Sequence, residues 1–151
     1  MEINWACKPF EELSTKELYT VLQLRAEVFV VEQNCAYQDI DGKDLNSMHL
    51  MAWDDENLAA YTRLVPAGVS FTEASIGRVI TSARYRGLGI GVTLMEKSIA
   101  QTLEIYQTDR IRIGAQLYLK KFYESLGFIA EGEEFLEDGI PHVEMLLVRK
   151  Q

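Results

Sequence analysis

The stretch Ser82-Ala-Arg-Tyr-Arg86-Gly-Leu-Gly-Ile-Gly91 constrains this chain more than any other. A short β-branched run, Ala74 to Thr81, precedes it. A run of helical period, Val92 to Leu103, follows it, with Val92, Met95, Ile99 and Leu103 on one face. Gly87, Gly89 and Gly91 permit a tight turn with outward N–H groups. A helix N-terminus adds unpaired donors and a favourable dipole, and Arg86 adds a fixed positive charge. Strand, glycine turn and helix in this order suit a bound phosphate. An ordinary glycine-rich turn remains the alternative on spacing alone. No Gly-Lys-Ser/Thr follows the glycines, so the turn is not a P-loop.

The rest of the chain supplies the frame. Glu2 to Cys7 reads as a strand. Ser14-Thr-Lys-Glu17 forms a capping box for a helix from Thr15 to Val31, with Leu18, Val21, Leu22, Arg25, Val28 and Phe29 on one stripe. Glu32 to Asn46 is polar and aperiodic, a loop. Met48–Trp53 and Leu58–Val65 form a hairpin about Asp54-Asp-Glu-Asn57. After the glycine turn and its helix come a strand, Arg110–Gly114, a helix, Gln116–Leu126, capped by Gly127, and two strands, Phe128–Phe135 and Ile140–Val148, joined by Glu137-Asp-Gly139. The order β α β β β α β α β β predicts an α/β domain spanning residues 1–151, a mixed sheet of six to seven strands with helices packed on it. It has too few alternating units for a doubly wound dinucleotide fold.

Composition removes several functions. The chain has 151 residues and a net charge of -8, which disfavours nucleic acid and anionic membranes as partners and tolerates a cationic amine. Cys7 and Cys35 give neither a disulfide framework nor a metal-ligand spacing, so reduced thiols in a cytoplasmic protein and no metal are expected. The start, Met1-Glu-Ile-Asn-Trp5, has no signal-peptide character, and no run reaches membrane-spanning length.

Two motifs taken together identify a resemblance. Arg86-Gly-Leu-Gly89-Ile-Gly91 is similar to the acetyl-CoA signature of the GNAT N-acetyltransferase superfamily, and Phe122-Tyr123-Glu-Ser-Leu-Gly127-Phe128 to its second landmark. The likeness covers nearly the whole chain. The run Leu24-Arg25 to Tyr37, then Asp39, Asp41, Asp44 and His49, with Ala115-Gln116 and Glu137 to His142, resembles the ElaA-like branch. The resemblance implies a splayed central strand pair and acetyl-CoA as donor. Val79, Ile80 and Thr81 would pair with the pantetheine arm, with Ile111 and Ile113 opposite. Arg86, Gly87, Leu88, Gly89, Ile90 and Gly91 would hold the diphosphate, Arg84 would reach a peripheral phosphate or solvent, and Gln116 would orient the cofactor.

Tyr123 is placed by the resemblance near the CoA sulfur, where a phenol suits protonation of a departing thiolate; packing between Tyr118 and Phe122 is its structural alternative. The base is open among Glu32, Asp41, His49, His142 and Glu144. Arg25, Gln33, Tyr37, Asp41 and Glu144 are expected around the acceptor, although Arg25 equally suits an ion pair with Asp41 or Asp44, and the acidic loop a solvated face. The expected reaction is direct attack of a small-molecule or peptide primary amine on acetyl-CoA, without an acetyl-cysteine, since neither cysteine is expected at the thioester. An acyl-CoA sensor and a synthase of acyl-homoserine lactones, which shares elements such as Arg25-x-x-x-Phe29, are the alternatives. The exposed last strand would allow a homodimer.

Overall fold

A computed structural model of the chain describes residues 1–149. Seven strands form two antiparallel sheets, β1-β2-β3-β4 and β5-β7-β6, which adjoin between β4 and β5. The strands are β1 (Asn4–Pro9), β2 (Met48–Asp54), β3 (Asn57–Val65), β4 (Ser75–Thr81), β5 (Arg110–Gln116), β6 (Ile129–Glu137) and β7 (Ile140–Val148). The main helices are α1 (Thr15–Arg25), α2 (Ile90–Ile105) and α3 (Lys120–Ser125).

Alternation along β2 decides the layering. Met51 faces α1, joining Val21, Leu24, Tyr61 and Ile80, whereas Leu50 and Ala52 face the other way, toward Ile90 and Leu94 of α2. Further along α2, Met95, Ile99 and Leu103 pack with Leu64 and Ile76 of the first sheet and with Ile111, Ile113 and Met145 of the second. One helix therefore clamps both sheets through a shared core, worth about 1.5–3 kcal/mol per fully buried aliphatic side chain.

The expected capping box is present: Ser14 Oγ accepts from Glu17 N–H at 3.0 Å, and Glu17 Oε1 from Ser14 N–H at 2.8 Å. The helix it starts differs from the expected one. After Arg25 the winding widens into a π turn, Ala26–Glu32, with Gln33 N–H bonding Val28 C=O at 3.1 Å and Cys35 N–H bonding Val30 C=O at 3.0 Å. Apolar spacing does not distinguish such a turn from α-helix. Arg25 and Glu32, seven residues apart, would share a face only if the α-helix ran through both.

Arg25 instead points inward and is fully buried. Its Nε donates to Asp39 Oδ2 at 2.9 Å, Nη1 to Asp44 Oδ1 at 2.7 Å and Nη2 to the Asp39 carbonyl at 3.0 Å. Arg63 on β3 binds both Asp41 oxygens, at 2.8 and 3.0 Å, and Asp44 Oδ1 at 3.0 Å. The acidic loop is thus pinned to the sheet and is not a solvated face. Breaking one member of such a network typically costs about 3–5 kcal/mol.

His49 is buried beside this network. Its Nε2 meets the Asp44 carbonyl at 3.0 Å, which fixes the proton there, so Nδ1 accepts from Tyr61 hydroxyl at 2.6 Å. Burial lowers its titration below the ordinary 6.5. For the aspartates burial acts upward, but the hydrogen bonds from Arg63 to Asp41 and from Arg25 to Asp44 outweigh it. Both titrate below the ordinary 3.8, Asp41 at about 2. The unfolded chain therefore takes up protons before the folded one does, and stability is lost as pH falls. The melting temperature is expected to fall in two stages on acidification, below about pH 6.5 from His49 and below about pH 4 from the aspartates. His49→Asn should remove the first stage; a wild-type melting temperature unchanged from about pH 7 to pH 5 would contradict this.

Candidate active site

β4 and β5 run parallel and meet at the Ala74–Ile111 bridge, where Arg112 N–H donates to Ala74 C=O at 2.9 Å. Beyond it they part. β5 pairs along its whole length with β7, Arg110 with Val148 through Gln116 with His142, and β4 pairs with β3. The β4 ladder carries a bulge: Arg63 faces Gly77 and Tyr61 faces Ile80, with Arg78 at φ +51°. A bulge bends its strand and strengthens the twist. The result is a V-shaped gap forming a cleft of about 980 Å³, lined by Ile76 to Thr81 on one side and Ile113, Gly114 and Gln116 on the other.

The glycine turn follows the open end of β4. Gly87 and Gly89 both have φ +80°, and a Cβ at either would touch nothing, so the backbone conformation is what requires glycine there. α2 starts at Ile90, and its first bond is Thr93 N–H to Gly89 C=O at 3.4 Å. Among the described residues, the N–H groups from Gly87 to Val92 have no protein acceptor. Leu88 is exposed and Ile90 buried. Arg86 lines the cleft; its Nε donates to Thr81 C=O at 3.0 Å and its Nη groups to both Glu32 oxygens, Nη2–Oε2 being 3.1 Å.

The second motif builds a Schellman cap. α3 is shorter than expected, since Gln116 ends β5 and Leu117–Leu119 is a 3₁₀ turn. Gly127, at φ +105°, donates to Glu124 C=O at 3.0 Å, and Phe128 N–H donates to Tyr123 C=O at 3.1 Å. The Phe128 ring meets the Tyr123 ring edge-on at 5.9 Å. Glycine and phenylalanine at these positions thus fix the backbone and ring of Tyr123. The tyrosine is buried yet reaches the cleft. Burial pushes its phenol up to about 12, so it holds its proton.

Of the expected acceptor residues, Gln33, Tyr37, Asp41, His142 and Glu144 line the same cleft. The polar loop and the β6–β7 hairpin close its end, with Cys35 Sγ 3.6 Å from the Asp138 carbonyl. Cys35 lines the cleft at that end. Arg25 and His49 lie outside the lining, their polar atoms spent on the buried network, so neither serves as acceptor contact or base there. Glu32 sits at the mouth, where its hydrogen bond from Arg86 lowers its titration; a carboxylate so held is a poor base. Glu144 is bound by Arg112 at 3.2 Å. His142 is buried. Its Nδ1 is 2.6 Å from Ile140 C=O and so carries a proton, and its Nε2 lies 3.6 Å from Glu137 Oε2.

The sequence does not mark Lys43, Arg63, Ser70, Phe71 and Arg78 as cleft residues, yet all line it. Two signals were available: arginine within the apolar run of β3, and glycine within the β4 pattern, a bulge indicator.

This fold occurs in known proteins. The acetyltransferase (GNAT) domain family matches residues 12–149, and the chain belongs to that family, whose members use acyl-CoA as co-substrate. It is 43% identical over 145 residues to Protein ElaA of Escherichia coli, covering 95% of each chain. The crystal structure of Escherichia coli ElaA superposes with a TM-score of 0.90 at 42% identity, covering 97% of this chain and 99% of that one. An acyl-CoA N-acyltransferase from Pseudomonas aeruginosa gives 0.93 at 43% identity, covering 97% and 100%.

Gly127→Ala should cost about 1–2 kcal/mol from the backbone conformation alone, read by urea denaturation. The added Cβ would lie 3.5 Å from Leu147 Cδ1, ordinary contact, so an unchanged midpoint would refute the cap as the reason for glycine.

Proposed function

We propose that the protein transfers an acetyl group from acetyl-CoA to a primary amine by direct attack in a ternary complex. The observation that carries this is the gap between β4 and β5, with unbonded turn N–H groups beyond one end and the Tyr123 side chain in its wall. The N–H groups of Gly87 to Val92 receive the diphosphate, and Arg86 adds charge there. The free edge of Val79–Thr81 takes the pantetheine arm as an added strand. A backbone N–H near Ile80 or Thr81 stabilises the oxyanion of the thioester carbonyl, and Gln116 orients the donor.

His142 is the base. Its Nε2 lone pair takes a proton from the incoming ammonium, directly or through water, and the freed amine attacks the carbonyl carbon. As the C–N bond forms and the C–S bond breaks, Tyr123 gives its proton to the sulfur, which leaves as the CoA thiol; the excess proton on the new amide nitrogen passes through water to the Tyr123 phenolate and restores the phenol. A phenol pushed to about 12 is a donor throughout the working pH range and never competes as the base. Cys7 and Cys35 are free thiols, which fits a cytoplasmic setting. None of the described helices is long and apolar enough to cross a membrane.

Tyr123→Phe tests the assignment. It preserves the ring contacts with Phe122 and Phe128 and removes the hydroxyl alone. The expected result is a kcat lower by roughly 10²–10⁴, measured as thiol release with an amine panel, with acetyl-CoA affinity close to wild type. An unchanged rate would remove Tyr123 as the acid.

A further inference from the structure

We propose that the acceptor is a small amino-carboxylic acid, its carboxylate held by Lys43 and Ser70 and its amine turned toward His142 and the β6–β7 hairpin. This rests on the acyl-transfer reading of the cleft and names the class of amine.

The inference comes from the charges that remain when the pairs in the cleft are matched. On the wall formed by the polar loop, β3 and β4, the guanidinium groups of Arg25, Arg63 and Arg78 face the carboxylates of Asp39, Asp41 and Asp44 and balance them. Lys43 is left over. It is half-buried and lines the cleft. Its ammonium donates to the neutral Ser70 hydroxyl at 3.2 Å, and among the described residues it has no carboxylate partner. Arg63 Nε, on the same wall, is buried without an acceptor. A half-buried cation with one neutral partner favours a ligand anion, because the attraction is screened less in a cleft than at an open surface.

The hairpin wall has the opposite surplus. Arg112 is shared by Glu73, Glu131 and Glu144. Among the described residues, Glu137 has only the imidazole of His142, at 3.6 Å, and Asp138 has no cation. The cleft therefore presents one unmatched cation on one wall and unmatched carboxylates beside the base on the other. A zwitterion matches both walls. A polyamine would place a second ammonium against Lys43, and a neutral amine would leave it unpaired.

The test compares amino acids and short dipeptides with their carboxamides and with linear polyamines, reading thiol release from acetyl-CoA, in wild type and in Lys43→Met and Lys43→Arg. Wild type should prefer carboxylates to carboxamides by roughly tenfold or more in kcat/KM. Lys43→Met should erase that preference through KM with kcat little changed and with carboxamide turnover unaffected. Lys43→Arg should retain it. Equal use of carboxamides, or a preference for polyamines, would overturn the assignment while leaving acyl transfer intact. Absence of turnover with every amine, despite bound acetyl-CoA, would overturn both.

Discussion

β4 and β5 share a parallel contact at Ala74 and Ile111 and then separate, and the rest of the molecule depends on that separation. A parallel pair zipped to its end would satisfy its own backbone and leave no edge for a ligand. Two forces keep this pair apart. β7 holds β5 from Arg110 to Gln116, while the bulge at Gly77–Val79 bends β4 away. At the closed end, α2 packs Met95, Ile99 and Leu103 against both sheets. The gap is a V with a clamped vertex, not a flexible seam.

The buried ion network explains how the V acquires a second wall. Arg78 sits at the bulge with φ +51°, a conformation that non-glycine residues adopt at a cost of about 1–3 kcal/mol. From there its Nε reaches Asp39 Oδ1 at 2.8 Å and its Nη2 the Asp39 carbonyl at 3.1 Å. Asp39 is also held by Arg25, so the distortion that opens the gap anchors the loop that covers its end. The π turn contributes on the other side, placing Glu32 against Arg86 at the mouth. The glycine turn, the polar loop and the strand bulge are therefore mechanically joined, which suits the proposed reaction, since it needs two substrates aligned within about half an ångström.

Much of this was legible in the residues. α2 was legible because its apolar period is strong and its start carries three glycines. The end of α3 was legible in Gly127, a glycine where a helix cap needs one, whereas Tyr123 was singled out by the resemblance of Phe122 to Phe128 to a family motif. The hairpins followed from alternation and turn residues. The π turn was hidden, since Val28 and Phe29 fit an α-helical stripe as well as a wider one. The bulge left Gly77 as its trace. Arg25, Arg63 and Arg78 find partners 14 to 39 residues away, and no local pattern encodes which carboxylate a buried arginine will meet. The same reason separates the two histidines: His49 is consumed by Tyr61 and Asp44, whereas His142, bonded through Nδ1 to Ile140, lines the cleft.

The central claim is that the open edge of β4 and the turn after it receive one extended acyl-CoA. Amide hydrogen exchange with and without acetyl-CoA tests it residue by residue. The account predicts slowed exchange at Val79–Thr81 and at Gly87–Val92 together, with the β1–β2 ladder unaffected. Protection at the turn without protection along β4, or protection in neither, would contradict it.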